Sequence, residues 1–109
     1  MRSFEPNAVL VTLTVSPAIE PAVIDWLLGR PESAGFTSTP VSGHSARLEG
    51  LSSVEQVTGR QRRVQFQVHM PFADLDGFLA AARERFGGTD AHYWAVPIVG
   101  GERLSAAKT

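Results

Sequence analysis

Hydrophobic and polar residues alternate in two stretches of the chain and recur at helical spacing in two others. From residue 8 to 15, Val9, Val11, Leu13 and Val15 alternate with Leu10, Thr12 and Thr14. A period of two built from β-branched residues predicts a strand. Ser16-Pro17 then predicts a helix start, with Ser at the N-cap and Pro at the first helical position. Ile19, Val23, Trp26 and Leu27 fall on one side of that helix, which Gly29 and Pro31 close. Residues 35–41 predict a second, weaker strand.

No period survives from 42 to 62. The stretch holds Gly43, Gly50 and Gly59 among several serines, and it predicts a long loop with room for a helical turn at 52–56. Loops of that length in compact domains usually carry function or lack order. Alternation resumes where Val64, Phe66, Val68 and Met70 interleave with Arg63, Gln65, Gln67 and His69. Pro71 opens a second helix with an apolar stripe of Leu75, Phe78, Leu79, Ala82 and Phe86, and Gly87-Gly88 ends it. A last strand is expected over 91–99, where Pro97 suits an edge position, and a short polar tail follows over 100–109.

The order is therefore βαβ, long loop, βαβ, with the plan repeated at an offset of about 55 residues. It predicts one domain over 1–109 of the α+β class: a ferredoxin-like βαββαβ sandwich. Its four-stranded antiparallel sheet carries two helices on one face and a long loop between strands 2 and 3. The second sheet face then carries Leu10, Thr12 and Thr14 on strand 1 and Gln65, Gln67 and His69 on strand 3. Strand 4 adds either Tyr93 and Ala95 or His92 and Trp94. That mixture is apolar for a solvated face and polar for a monomer core, so oligomerisation through it is expected.

Composition narrows the function. The 109 residues hold ten basic and eleven acidic side chains, a net charge of -1, so a global attraction to nucleic acid or anionic membrane is not expected. Zero cysteines exclude disulfides, thiolate catalysis and the Cys-pair metal chaperones of this fold. No apolar run approaches the roughly 20 residues of a membrane span, so no membrane insertion is expected, and the chain reads as cytoplasmic. The segment after strand 1, Val15-Ser16-Pro17, lacks the phosphate-cradling Arg of an acylphosphatase-type loop. Gln65 and Gln67 stand where an RNA-binding sheet needs stacking aromatics.

What chemistry remains sits in three places. Among the three histidines, His44 beside Gly43 is the best candidate contact, because a loop glycine lets backbone approach a ligand, although it also reads as a solvated loop side chain. Arg60, Arg62 and Arg63 concentrate positive charge and could grip phosphate or carboxylate with planar forks. In an extended segment Arg60 and Arg62 point to one side and Arg63 to the other. The charge equally suits a solvated strand end. Gly87-Gly88 could aim backbone N–H groups at an anion, or simply make a turn.

With these residues in view, the chain resembles the PII-like superfamily of small trimeric signalling proteins. It is most similar to the branch, first described as a domain of unknown function, whose genes lie beside heavy-metal efflux pumps of the resistance-nodulation-division type. The likeness rests on Val23-Ile24-Asp25-Trp26-Leu27-Leu28, Gly35-Phe36-Thr37-Ser38, Gly43-His44, His92-Tyr93-Trp94 and, above all, Glu55-Gln56-Val57-Thr58-Gly59-Arg60-Gln61-Arg62-Arg63. The resemblance implies a homotrimer whose long loop, the T-loop, reaches a protein partner, here a membrane transporter. It also implies small-molecule effectors bound in clefts between subunits, near the base of that loop and the turn before strand 4. Matched residue by residue, it implies ligand-binding roles for Gly43, His44, Arg60, Arg62, Gly87 and Gly88. The turn reads Gly87-Gly88-Thr89-Asp90 without the lysine of the best-characterised members, and the tyrosine they modify in the T-loop is absent.

The sequence thus leads to a non-enzymatic regulatory protein that senses a small ligand, either a nucleotide or other anion or a metal ion, and signals to a transporter. Two alternatives stay open: a direct metal sensor or buffer using His44, His69 or His92, and a small ferredoxin-like enzyme. The enzyme would need an apolar pocket between helices and sheet, which Trp26, Phe66, Phe78 and Trp94 are expected to fill.

Overall fold

The computed structural model describes residues 7–33, 35–44 and 60–105. Strand β1 spans Ala8–Val15; a 3-10 turn at Pro17–Ile19 leads into helix α1, Glu20–Leu28. Strand β2 covers Phe36–His44 and β3 covers Arg60–Pro71. A second 3-10 turn at Phe72–Asp74 precedes helix α2, Leu75–Phe86, and β4 spans His92–Ile98. The sheet order is β2-β3-β1-β4, and all three ladders are antiparallel. This is the α+β, ferredoxin-like arrangement that the repeated βαβ plan predicts.

The alternation in β1 and β3 explains the core. Val9, Val11, Leu13 and Val15 sit beside Val64, Phe66, Val68 and Met70 on the helix-covered face, and all are buried. Val23 and Leu27 from α1 and Phe78, Leu79 and Phe86 from α2 close over them. Trp26 packs between the helices, 5.2 Å from the Phe78 ring and edge-on to Phe86 at 5.4 Å. Each fully buried aliphatic or aromatic side chain contributes about 1.5–3 kcal/mol of transfer free energy. Trp26, Phe66 and Phe78 thus fill the space between helices and sheet. Trp94 does not: it lies on the opposite sheet face and is half exposed, which corrects the sequence expectation.

The helix starts differ in detail from expectation. Ser16 occupies the N-cap position with extended backbone, but its side chain makes no capping bond; its carbonyl instead accepts the Ile19 amide at 3.2 Å. Pro71 ends β3 rather than entering a helix, and the Phe72 amide is tied to the Asn7 carbonyl beside it.

The strand limits need a larger correction. Ser42, Gly43 and His44 extend β2, and Arg60, Gln61 and Arg62 begin β3, so the ends of the expected 42–62 loop are a paired ladder. Their polar side chains hide the period because neither sheet face is covered there. The central part of that stretch, including the expected turn at 52–56, lies outside the described residues, as do 106–109. Of the tail, 101–105 has no regular structure. The last strand is one residue shorter at each end than expected, and Pro97 sits on an edge strand.

Candidate functional site

Register settles which residues share the uncovered face. Thr12 is opposite both Gln67 and Trp94, and Thr14 is opposite both Gln65 and His92. Strand β4 therefore presents His92, Trp94 and Val96 to this face, and Tyr93 and Ala95 to the helices. Thr12 and Thr14 are buried even so, each 5% exposed, because longer neighbours stand over them. The Thr14 hydroxyl has no hydrogen-bond partner.

At the end of the sheet where β2 runs out and β3 begins, this face holds a concavity of about 330 Å³. Thr14 forms part of its floor, Gly43 and His44 come from β2, Arg63 from β3, and His92 and Trp94 from β4. The imidazole of His92 and the indole of Trp94 lie 5.8 Å apart between centroids. Gly43 is opposite Gln61, and the Arg63 stem passes close to where a Gly43 side chain would start.

Arg63 is the cation that the fold draws into this space. Its Nη1 donates to Oδ2 of Asp90 at 2.5 Å, and its Nη2 donates to Oε1 of Gln61 at 2.7 Å. The Arg63 side chain is 14% exposed, that of Asp90 46%. Asp90 is held out toward Arg63 by the turn after α2. The Gly87 amide donates to the Arg83 carbonyl at 2.8 Å, and Gly88 adopts a φ of 89°. The Thr89 hydroxyl donates to the Phe86 carbonyl at 2.7 Å and accepts the Ala91 amide at 3.2 Å.

The sequence-predicted residues divide accordingly. Gly43 and His44 line the concavity. Arg60 and Arg62 lie on the other side of the β3 pleat, in step with Val64 and Phe66 but beyond the helices, and both are exposed. Gly87 borders a smaller apolar hollow of about 90 Å³ with Leu79, Phe86 and Tyr93, and Gly88 shapes the turn that carries Asp90. Arg63 comes from the cation cluster that the sequence singles out, Thr14 and Trp94 are sequence candidates only for the uncovered face, and Asp90 is the site member that sequence reasoning misses. The parity of the β2–β3 ladder separates Arg63 from its neighbours, whereas Asp90 is 27 positions away and no local pattern joins it to Arg63.

Chemically the concavity offers a guanidinium fork, the His92 imidazole and the Trp94 indole, with His44 at its border and the Thr14 hydroxyl buried beneath its floor. That set recognises an oxyanion beside a flat or polar group. No group of three or more His, Cys, Asp or Glu side chains converges among the described residues. Nor is any described helix long and apolar enough to cross a membrane.

Comparison with known proteins bears on this geometry. No curated protein matches the sequence significantly. Among solved structures, a DUF3240 family protein from Shewanella baltica OS155 superposes with a TM-score of 0.76 at 21% identity, covering 93% of this chain and all of its own. CPII, a nitrogen regulatory PII-like protein from Thiomonas intermedia K12 bound to ADP, AMP and bicarbonate, gives 0.65 at 15% identity over 89% of this chain and 96% of its own. CutA from Synechococcus elongatus PCC7942 gives 0.61 at 15% identity, covering 88% and 80%. The sheet and helices are thus those of the PII-like and CutA folds. The profile of one family, described as a protein of unknown function, matches residues 5–104, which include every strand of this sheet and the whole lining of its concavity, and the chain belongs to that family, DUF3240.

Proposed function

We propose that this chain is a non-enzymatic, cytoplasmic PII-like regulator. It assembles as a homotrimer, binds a small effector in clefts between subunits, and signals through the segment joining β2 and β3 to a membrane transporter, a heavy-metal efflux pump. The observation that carries this reading is the concavity at the base of that segment. There Gly43 and His44 leave β2, Arg63 enters on β3, and an ion pair joins Arg63 to the turn before β4. An effector at this point touches both the root of the segment and the turn, so it can shift the conformers available to a partner.

Gly43, His44, Arg60, Arg62, Gly87 and Gly88 are proposed as effector contacts. Arg60 and Arg62, on the far side of the pleat, would serve a cleft completed by a second subunit. The uncovered face supports assembly: Trp94 and Val96 are 49% and 45% exposed on it, which is apolar area a second copy would remove from water. A nucleotide or small anion is the favoured effector. The guanidinium fork suits it, and CPII, of the same fold, is bound to ADP, AMP and bicarbonate.

A thermal-shift panel with ATP, ADP, AMP, bicarbonate, zinc, copper, nickel and cobalt tests the proposal. A ligand present at 100 times its dissociation constant adds about 2.7 kcal/mol to the native state, a shift of several degrees for a chain of this size. A shift with an anion supports the regulator. A shift with metals alone favours direct metal sensing, for which His44 and His92 both border the same concavity. Under direct metal sensing, His44→Ala abolishes that metal response.

A further inference from the structure

We infer that the Arg63–Asp90 ion pair is a latch that the effector opens: an oxyanion of the ligand takes the Arg63 fork, and Asp90 is released together with its turn. The inference rests on the reading of this concavity as the effector site and adds how occupancy is transmitted. It identifies the recognised group as a carboxylate or phosphate oxyanion.

Three observations carry it. Arg63 is largely shielded and already arranged to give two hydrogen bonds, one to Asp90 and one to Gln61. Gln61 fixes the orientation of the fork, so a ligand meets a guanidinium that needs little reordering. The present acceptor, Asp90, is nearly half exposed, and exposed ion pairs are weak because water and salt compete for both charges. A doubly accepting oxyanion can therefore replace it at small cost. Thr14 forms part of the floor of the same concavity, and its hydroxyl is buried without a partner. A buried polar group left unpaired costs free energy that a bound acceptor or donor recovers.

The consequence lies in the turn. Asp90 is the one side chain of residues 87–90 that reaches β3 among the described contacts, whereas Thr89 bonds only within the turn and to the end of α2. Loss of the Arg63 contact detaches the 87–91 turn from the root of the segment that joins β2 and β3. One ligand group thus moves two elements, with no long-range pathway required.

Titration calorimetry on the full chain tests this with ADP, inorganic pyrophosphate and succinate as probes, on wild type, Asp90→Asn and Arg63→Lys, each checked for a wild-type-like thermal midpoint. Removing the internal competitor in Asp90→Asn tightens oxyanion binding by about two- to five-fold, the range an exposed ion pair spans. Arg63→Lys, which keeps the charge and loses the fork, weakens it about ten-fold. Binding of ADP and pyrophosphate alone assigns a phosphate ligand, and binding of succinate alone assigns a carboxylate; either supports the latch. Amide exchange at 87–91 separates a latch from simple charge removal. It speeds up several-fold when wild type is saturated and is already fast in Asp90→Asn. Equal affinity of wild type and Asp90→Asn, or slower exchange on saturation, overturns the latch and leaves the site standing. Failure of every probe to bind either protein overturns both.

Discussion

The Gly87 amide and the Arg83 carbonyl meet at 2.8 Å, and a side chain on Gly87 would run straight into that carbonyl. The contact closes α2 and sends the chain toward Asp90. Gly87→Ala must therefore break either the closing hydrogen bond or the turn, and the expected loss is about 1–3 kcal/mol. Gly77 gives the opposite sign. It lies inside α2, and the methyl of Gly77→Ala would meet nothing within 4 Å, so that substitution should gain about 0.5–1 kcal/mol. Chemical denaturation of both variants checks the pair, and a stabilised Gly87→Ala would show that the turn does not depend on this contact.

Acid sensitivity is expected at the other helix. Arg30 stacks over Trp26, 5.5 Å from the ring centroid, and donates two hydrogen bonds to Glu32 at 2.9 and 2.7 Å. Those bonds hold the Glu32 carboxyl below its ordinary range, against partial burial that pushes it up. A carboxyl depressed in the folded state stabilises fully above its unfolded pKa, about 4.3, and loses that contribution as pH falls through the lower folded value. Wild type should therefore melt above Glu32→Gln at pH 7, and the gap should close below about pH 4. A gap that persists unchanged to about pH 3 would mean that the carboxylate charge is not what stabilises this corner.

The alternation in β1 and β3 makes the core and the fold class legible in the sequence. Where one face is buried, a one-residue slip would turn Val11 and Phe66 out into solvent, so pattern and register are bound together. The same logic fails at Ser42–His44 and Arg60–Arg62. Neither face is covered there, and hydrogen-bonding along the ladder leaves no mark in the sequence. The face of Trp94 is undecidable from sequence for a related reason: Tyr93, Trp94 and Ala95 in succession fit either parity, and only pairing with Thr12 resolves it. Gly43 and His44 stand out through local chemistry, and both line the concavity. The Arg63–Asp90 contact does not, because it depends on a turn after α2 returning to the start of β3.

Assembly through the uncovered face gives a prediction at one residue. Trp94 is half exposed on the edge strand β4, so a polar replacement leaves the monomer fold intact while placing charge in the proposed contact. Sedimentation velocity should show wild type at the mass of a trimer and Trp94→Glu at that of a monomer. Wild type sedimenting as a monomer at micromolar concentration would remove the second copy as the cover of this face.

Thr14 joins stability to function most directly. The residue forms part of the concavity's floor, and its hydroxyl is buried with no hydrogen bond, a state that costs roughly 1–3 kcal/mol where nothing compensates. Thr14→Val keeps the β-branched shape that suits β1 and replaces the hydroxyl with a methyl. In the ligand-free protein the variant should be as stable as wild type or up to about 1 kcal/mol more so. With effector present the order should reverse, because wild type gains the hydrogen bond and the variant cannot. Paired thermal melts, with and without the ligand that the panel identifies, measure both terms. A variant less stable than wild type without ligand would show that the hydroxyl is already satisfied in solution. A variant stabilised by ligand as strongly as wild type would place the bound molecule elsewhere on the face. The crossing of the two stabilities is what a binding site produces, since an unpaired polar group persists where its partner arrives with the ligand.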